Sequence, residues 1–229
     1  MQEVTRALRA LSSAYVERRH KVAHGTTLDS RGKRAAFALF YAPLHFLATY
    51  HIVHAIGAIA PAPSRIVDIG CGTGTAGAAW AIASGATPVL GIDRHPWAVE
   101  EARWTYRVFG LNGRAHHGDA TRLPRLPGGS GLIAAYVLNE LLDAARERLE
   151  ASLLAAADTG VRVLILEPIA RSVTPWWDAT AKRVIGAGGR ADEWRIPVDL
   201  PPIVDRLAGA AGLNQQELKL KSLYLGGPA

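Results

Sequence analysis

The spacing of apolar residues along this chain changes near residue 62. Before that point apolar residues recur at helical spacing, and the sequence predicts three helices. The first covers residues 2–20, and the second begins at Asp29 or Ser30 and ends near residue 41. The third runs from Pro43 to about residue 59. Beyond residue 64, short β-branched runs alternate with longer helical segments.

This second part of the chain has the pattern of an α/β protein. Strands are predicted over 65–69, 89–92, 114–117, 132–137, 161–166 and 217–225. Helices are predicted over 75–84, 96–110, 141–157 and 200–211. Strands that alternate with helices form parallel βαβ units. We therefore expect a helical extension or lid over residues 1–62, followed by a Rossmann-like domain over residues 63–229.

The cysteine content and the longest apolar run restrict the classes of protein. Cys71 is the single cysteine, so one chain can form neither a disulfide nor a cysteine-based zinc or iron–sulfur site. We expect a cytoplasmic protein without a metal site. The run 44–60 contains three histidines and is shorter than the ~20 residues of a membrane span. No membrane partner is expected.

The net charge of +6 is concentrated near the start of the chain. Residues 1–34 carry eight Lys or Arg and three Asp or Glu. A basic segment of this kind attracts phosphate backbones by releasing their counterions. A solvated helix face without any nucleic-acid partner has the same composition. Both interpretations stay open at this point.

A glycine-rich loop follows the first predicted strand directly. It reads Asp68-Ile69-Gly70-Cys71-Gly72-Thr73-Gly74, and the next helix presents free backbone N–H groups to it. Glycine lets the backbone approach a ligand closely, since no Cβ intervenes. The run 72–77 also matches the glycine spacing of a dinucleotide fold. In that fold the first glycine follows the strand directly, which is Gly70, and the third would fall on Thr75.

Two more acidic residues follow predicted strands. Asp93 ends the second strand, 19 residues after Gly74, where a carboxylate can accept hydrogen bonds from ribose hydroxyls. Asp119 follows the third strand. Together with Asp68 and the loop, these residues resemble the cofactor site of class I methyltransferases that use S-adenosylmethionine (SAM).

This resemblance implies SAM as the cofactor and S-adenosylhomocysteine as the product. The cofactor-binding residues that it implies are Asp68, Gly70, Cys71, Gly72, Gly74, Asp93, Arg94, Asp119 and Ala120. A complete sheet of this family ends in two antiparallel strands, whereas the sequence offers only 217–225. We therefore expect a sheet that is one strand short at its C-terminal edge. An unpaired strand there would favour a homodimer.

The methyl acceptor of this family usually meets the ends of strands four and five. Strand four is followed by Tyr136, Asn139 and Glu140, which are the candidate catalytic residues because they could orient an acceptor or take its proton. Each of these residues equally suits a structural role. Asn139 could cap the following helix, Glu140 could lie in the first turn of that helix, and Tyr136 could belong to the core. The candidate substrate-binding residues are Arg34, Tyr41, His45 and Glu167.

Some acceptor chemistry is excluded by the same residues. Asn139-Glu140 departs from the Asn/Asp-Pro-Pro-Tyr motif of methyltransferases that act on exocyclic base amines. Carbon-5 cytosine methylation needs a cysteine nucleophile, and Cys71 lies inside the cofactor loop. An oxygen, a nitrogen or another nucleophile remains open as the methyl acceptor.

Three segments resemble a narrower family, the mitochondrial small-ribosomal-subunit assembly factors and their bacterial relatives. These segments are residues 34–59, residues 136–148 and Leu166-Glu167-Pro168. The mitochondrial members carry a cysteine cluster for an iron–sulfur centre. Residues 189–197 hold Trp194 and Arg195 but no thiol, so that role does not transfer to this chain.

Three functions are therefore compatible with the sequence. A methyltransferase that acts on structured RNA would grip phosphates with basic residues of the extension, namely Arg18, Arg19, Lys33 and Arg34. One that acts on a small molecule would use the extension as a lid, with aromatic residues along its cavity, namely Tyr41, His45 and Trp176 or Trp177. The third is a ribosome assembly factor that binds SAM without turnover.

Overall fold

The computed structural model describes residues 2–17, 28–213 and 216–226, and of residues 14–17 only the backbone. The described helices are α1 (Gln2–Glu17), α2 (Arg31–Ala36), α3 (Ala42–Ala55), α4 (Thr75–Ser84), α5 (Pro96–Val108), α6 (Asp143–Asp158), α7 (Trp177–Gly186) and α8 (Pro202–Ala211). The described strands are β1 (Ile66–Ile69), β2 (Val89–Asp93), β3 (Gly113–His117), β4 (Gly131–Ala135), β5 (Arg162–Pro168), β6 (Arg190–Pro197) and β7 (Glu217–Leu225).

The strands form one seven-stranded sheet in the order β3-β2-β1-β4-β5-β7-β6. The first five strands are parallel, and β7 runs antiparallel to both β5 and β6. The predicted Rossmann-like α/β class and the N-terminal helices are confirmed. Because the strand order reverses beside β1, the carboxyl ends of β1 and β4 border a crevice where ligands bind in such sheets.

The prediction of a missing strand is wrong. β6 pairs with β7 along its whole length, from Arg190 opposite Tyr224 to Pro197 opposite Glu217. Only Ile196 of β6 is buried, because β6 is the edge strand and most of its side chains face solvent. Its sequence therefore lacks the apolar alternation that reveals a strand. Since β7 is paired on both sides, the argument for a homodimer through an unpaired strand loses its basis.

Helix α7 was also absent from the sequence prediction. Its buried residues are Trp177, Thr180 and Val184, so one of the three inward positions is a polar residue. With a threonine at an inward position, a helix of only ten residues shows no clear helical spacing of apolar residues.

The second and third predicted helices form one continuous helical segment. Ser30 caps α2, since its Oγ accepts a hydrogen bond from the N–H of Lys33 at 3.3 Å. A π-helical turn at Phe37–Tyr41 then joins α2 to α3. Pro43 lies in the first turn of α3. The proline therefore marks a change of helical pitch instead of a break in the chain.

This segment, Arg31–Ala55, has 25 residues and is the one described helix long and apolar enough to cross a membrane by length and composition. The apolar run 44–60, which is shorter than a membrane span, overlaps only the C-terminal part of this segment. Half of the segment's most apolar 18-residue stretch is buried inside the protein, and the α3 part of the segment packs along α4. A helix that is buried in the core of a protein passes the same test of length and composition.

Helices cover both faces of the sheet. The N-terminal helices share one apolar core with α4, α5 and α8, and this core includes Leu8, Phe40, Ile52, Trp80 and Tyr106. The core on the other face is formed by α6 and α7 against β4, β5 and β7. The helical extension is thus packed into the same core as the parallel strands, where it borders the carboxyl ends of β1 and β4.

Candidate functional site

A cavity of about 840 Å³ lies at the carboxyl ends of the parallel strands. The β1–α4 loop and the ends of β2 and β4 form one side of it. The π-helical turn, α3 and β7 form the other. This volume falls in the upper part of the ~300–1,000 Å³ range of ligand pockets.

The glycines of the β1–α4 loop are required by their backbone and their surroundings. Gly70, Gly72 and Gly74 all have positive φ, at 62°, 52° and 75°. A Cβ on Gly70 would lie 2.6 Å from Cγ2 of Val137, closer than any real contact. The loop therefore leaves bare backbone against the end of β4, which is the property that the sequence analysis predicted for a cofactor cradle.

Asp68 is buried at the end of β1, with 1% of its surface exposed. Its Oδ2 accepts a hydrogen bond from the N–H of Gly77 at 2.8 Å. Burial, together with the smaller effect of the charge of Asp93, raises the pKa of Asp68 to about 7, although the hydrogen bond from Gly77 lowers it. Among the described residues, neither Oδ1 of Asp68 nor Oγ1 of Thr73 has a hydrogen-bond partner. Both residues line the cavity, so these atoms suit a ligand with polar or cationic groups.

Asp93 holds the glycine loop in place. Its Oδ2 accepts a hydrogen bond from the N–H of Gly72 at 2.9 Å, and its Oδ1 accepts one from the N–H of His95 at 2.7 Å. A carboxylate has about four lone-pair sites, so acceptor capacity is left for ribose hydroxyls. Arg94 and His95 line the same part of the cavity.

Asp119 is exposed at the outer end of the cavity. Its Oδ1 accepts hydrogen bonds from the N–H and the hydroxyl of Thr121, at 2.9 and 2.8 Å, which lower the pKa of the carboxyl. Ala120 and Cys71 also line the cavity. Cys71 is buried, and burial raises the pKa of its thiol. All nine predicted cofactor-binding residues except Gly74 line the cavity, and Gly74 begins α4 beside it.

The candidate catalytic residues after β4 lie in a 3-10 turn at Leu138–Glu140. Helix α6 begins only at Asp143, and Leu142 precedes it, so Asn139 does not cap a helix and Glu140 is not in the first turn of α6. Both side chains line the cavity. Oδ1 of Asn139 is buried without a hydrogen-bond partner among the described residues.

Glu140 belongs to the cofactor side of the cavity. Burial raises its pKa to about 8, while the charge of Arg94 lowers it and that of Asp93 raises it. The two charges that act on Glu140 are thus those of residues predicted to bind the cofactor. This placement favours a role for Glu140 near the cofactor over one at the acceptor.

Tyr136 and His45 form a stacked ring pair in the cavity. Their ring centroids are 4.2 Å apart with an interplanar angle of 21°. Phe37 meets His45 edge-on at 5.9 Å, and Tyr41 lies 6.1 Å from it. Burial lowers the pKa of His45 to about 4 and raises that of Tyr41 to about 12. At neutral pH both rings are therefore uncharged.

Four residues predicted on the acceptor side lie outside the cavity lining. Arg34 donates from Nε to the carbonyl oxygen of Leu28 at 2.9 Å. Glu167 is fully buried behind the site, where its Oε1 accepts hydrogen bonds from the N–H groups of Leu138 and Asn139 at 2.9 and 3.2 Å. Trp176 and Trp177 belong to the core on the opposite face of the sheet. The aromatic residues that the helical extension contributes to the cavity therefore come from the π-helical turn and α3, and these tryptophans are not among them.

Sequence reasoning missed several lining residues, namely Ser12, Phe37, Leu44, Thr73, Val173 and Lys219. Thr73 stands within the glycine loop, so the motif itself could have indicated it. The others come from α1, the π-helical turn, α3, the 3-10 turn after β5 and β7, which only folding brings to the ends of β1 and β4. Among the described residues, no cluster of three metal-ligating side chains occurs.

The comparisons agree with this geometry. Residues 66–160 match the family described as methyltransferase domain. The fold matches the mitomycin 7-O-methyltransferase MmcR with a TM-score of 0.58 at 16% identity, covering 99% of this chain and 67% of that one. It also matches a methyltransferase from Pyrococcus furiosus, with a TM-score of 0.55 at 13% identity and coverage of 80% and 83%. None of the curated protein sequences matches significantly.

These structural neighbours establish the fold, and the family match adds the activity. The glycine cradle, the buried carboxylate of Asp68 and the polar atoms of Asp68 and Thr73 without partners among the described residues fit the cofactor that such a domain uses. Residues 66–160 therefore form a SAM-dependent methyltransferase domain, whose cofactor is SAM and whose product is S-adenosylhomocysteine.

Proposed function

We propose that this protein methylates a planar, aromatic or heteroaromatic small molecule that enters beneath the N-terminal helices and lies against the ring pair of Tyr136 and His45. The observation that carries this proposal is the stack itself, with its centroids 4.2 Å apart at the end of β4. Stacked and edge-on rings favour a flat ligand, since aromatic pairs contribute ~0.5–1.5 kcal/mol beyond their burial.

The backbone of Tyr136 supports a functional role for its side chain. Tyr136 has a φ of 60°, and it is the one non-glycine residue with positive φ among those described. This conformation costs roughly 1–2 kcal/mol in an L-residue. It is held by a hydrogen bond from the N–H of Tyr136 to the carbonyl oxygen of Leu166 at 2.8 Å. A strained residue at a cavity wall is typical of a site where the strain fixes a working geometry.

The helical extension forms a lid over this part of the cavity. It contributes seven lining residues, which are mostly apolar, namely Ser12, Leu28, Phe37, Phe40, Tyr41, Leu44 and His45. Water excluded by such a lid cannot compete with the acceptor. The matched length of the mitomycin 7-O-methyltransferase includes this extension, since 99% of the present chain is covered.

The basic residues of the extension give less support to an RNA acceptor. Arg9 donates to the carbonyl oxygens of Ala210 and Ala211, and Arg34 donates to that of Leu28. Lys33 forms an ion pair with Asp29 at 2.9 Å. Arg18 and Arg19 lie outside the described residues. The guanidinium group of Arg9 thus binds the extension to the C-terminal end of α8, and that of Arg34 forms a hydrogen bond within the extension.

The chain's own residues can supply positioning and a proton acceptor. SAM, when bound, supplies a methyl group on a sulfonium that is already activated for transfer. Neutral His45 can accept a hydrogen bond from an O–H or N–H of the acceptor ring, because its pKa lies near 4. Asn139 can accept a second one through Oδ1. Two such contacts would orient the nucleophilic atom, and orientation accounts for much of the rate when the methyl donor is reactive.

Incubation with labelled SAM and fractions of an extract from the source organism tests this proposal. We expect label in the low-mass fraction, in compounds that absorb as aromatic rings. Tyr136→Ala should lower the labelling rate by about 100-fold, roughly 2.8 kcal/mol. The affinity for SAM should change less than about threefold, because the ring pair lies on the acceptor side.

Other outcomes of the same experiment would contradict the proposal. Label in RNA would show that the planar ring is a nucleobase and that the lid opens for a polymer. Label in protein would remove the planar acceptor altogether. A scaffold that binds SAM without turnover would give two results. The protein would bind SAM tightly without label in any fraction, and Asn139→Ala would leave its function in the cell unchanged.

The pH dependence of SAM binding is a separate prediction. Asp68 has a pKa of about 7 in the ligand-free protein instead of 3.8, so it holds a proton that a cationic ligand must displace. We expect SAM affinity to rise with pH by up to about tenfold per unit below pH 7, and to level off above it. Calorimetry in buffers of different ionisation enthalpy should detect proton release on binding.

Two variants control this measurement. Asp68→Asn should bind SAM weakly and without this pH dependence. Glu140 also titrates near this range, with a pKa of about 8. Glu140→Gln should therefore keep the rise of SAM affinity below pH 7, which we assign to Asp68. The same shift means that the ligand-free fold loses stability as the pH rises from about 4 to 7, because the folded state then holds a proton that the unfolded state has released. Binding that is independent of pH in the unmodified protein would contradict the assignment.

A further inference from the structure

A buried lysine lies behind the acceptor side of the site. Lys221 is 2% exposed and is the direct cross-strand neighbour of Glu167, which is fully buried, in the antiparallel pair of β5 and β7. The Nζ of Lys221 lies 4.5 Å from the ring centroid of Trp177. Neither the cofactor cradle nor the ring pair makes use of this lysine.

The neighbouring carboxylate connects this lysine to the site. Oε1 of Glu167 accepts hydrogen bonds from the backbone N–H groups of Leu138 and Asn139. These two residues open the 3-10 turn that places Asn139 and Glu140 on the cavity wall. An ionised carboxylate forms shorter and stronger bonds to N–H groups than a protonated one.

Glu167 is the one buried carboxyl group among the charges that act on Lys221, although Asp178 and Glu193 affect the pKa of the lysine more strongly. Burial lowers the pKa of Lys221, the charges of Asp178, Glu193 and Glu167 raise it, and that of Arg171 lowers it. Asp178, Glu193 and Arg171 are exposed to solvent, which screens their charges. A buried carboxylate without a cation nearby tends to take up a proton.

We propose that Lys221 is a positioning residue for methyl transfer, which acts through Glu167 on the turn that carries Asn139. Its ammonium group keeps Glu167 ionised, and ionised Glu167 fixes the 3-10 turn against the end of β5. The catalytic consequence rests on the proposed acceptor site beside Asn139. The link between Lys221, Glu167 and the turn does not depend on which acceptor is used.

NMR of the full-length protein tests the link directly. In the unmodified protein we expect the carboxyl ¹³C signal of Glu167 and the amide signals of Leu138 and Asn139 to stay constant between about pH 5.5 and 8. In Lys221→Met, which has a flexible apolar side chain of similar length, all three signals should move with one midpoint in this range. Lys182→Met on the exposed face of α7 is the matched control and should behave like the unmodified protein.

Further variants separate the ionisation from a general loss of packing. Lys221→Arg keeps the charge and should keep the signals constant. The double variant Lys221→Met/Glu167→Gln has no carboxyl group to titrate, so its amide signals should again be independent of pH. Where an acceptor is known, kcat of Lys221→Met should fall at least tenfold near pH 6 and recover as the pH rises, with SAM affinity unchanged within about threefold.

The proposal is overturned if Glu167 of the unmodified protein titrates in this range, a measurement that needs no variant to fold. It is also overturned if Lys221→Met leaves all three signals constant. If no acceptor is ever labelled but the NMR behaviour is as expected, the proposed function fails while the link between Lys221 and the turn stands.

Discussion

Replacing Gly70 with alanine is expected to weaken SAM binding by more than about 100-fold, roughly 2.8 kcal/mol. The new Cβ would lie 2.6 Å from Cγ2 of Val137, and the backbone would keep a φ of 62° that costs an alanine roughly 1–2 kcal/mol. Either the loop or the end of β4 must then move, and both line the cavity. Isothermal titration with SAM measures the effect.

Two variants separate the causes of this loss. Gly85→Ala is a matched control, because Gly85 has a φ of 71° but open space around its Cβ position and ends α4 far from the loop. It should cost stability of about 1–2 kcal/mol and leave SAM affinity unchanged. Gly70→Ala/Val137→Ala removes the steric clash while it keeps the backbone strain, so it should recover part of the affinity. Normal SAM binding by Gly70→Ala would refute the cofactor cradle.

Trp80→Ala is expected to destabilise the protein by about 3–5 kcal/mol, the range for truncating a large buried aromatic. Trp80 on α4 is fully buried, and its Nε1–H donates to the carbonyl oxygen of Ala58 at 3.0 Å. It thus joins the end of the helical extension to the parallel sheet. Urea unfolding measures the free energy, and the same experiment asks whether extension and sheet unfold together.

The control variants for this prediction come from the same chain. Trp80→Phe keeps most of the apolar contact but leaves the carbonyl of Ala58 without its donor, which should cost about 1–3 kcal/mol. Trp104→Ala removes a tryptophan that is 55% exposed and should change the stability by less than about 0.5 kcal/mol. Two separate unfolding transitions in the unmodified protein would show that the extension is not part of one cooperative unit.

The parallel part of the fold could be predicted from sequence because its signals are local. Strands β1, β2, β4 and β5 are largely apolar runs, and β1, β2 and β4 are each followed by a loop with polar residues that line the cavity. β6 and α7 escaped prediction for the opposite reason. One is an edge strand with a single buried residue, and the other buries a threonine at a core position. β6 pairs with β7, and α7 packs into a core with β4, β5 and β7. The positions of both elements therefore depend on residues that lie far away in sequence.

The candidate site divides in the same way. Asp68, Gly70 and Asp93 could be identified because a glycine loop and strand-end carboxylates are adjacent in sequence to the strands that position them. Glu167 was assigned to substrate binding, whereas folding turns it inward to hold the backbone of Leu138 and Asn139. The direction of a side chain at a strand end depends on register with neighbouring strands, and a single strand's sequence does not encode it.

The amino-acid sequence by itself determined the α/β class and the glycine loop after β1, since each of these follows from residue types at short spacing. Only the tertiary structure decided that the sheet has seven strands, that His45 stacks on Tyr136, and that Lys221 stands behind Glu167. The physical reason is that these contacts join residues far apart in the chain, whose approach is set by the packing of helices and strands between them.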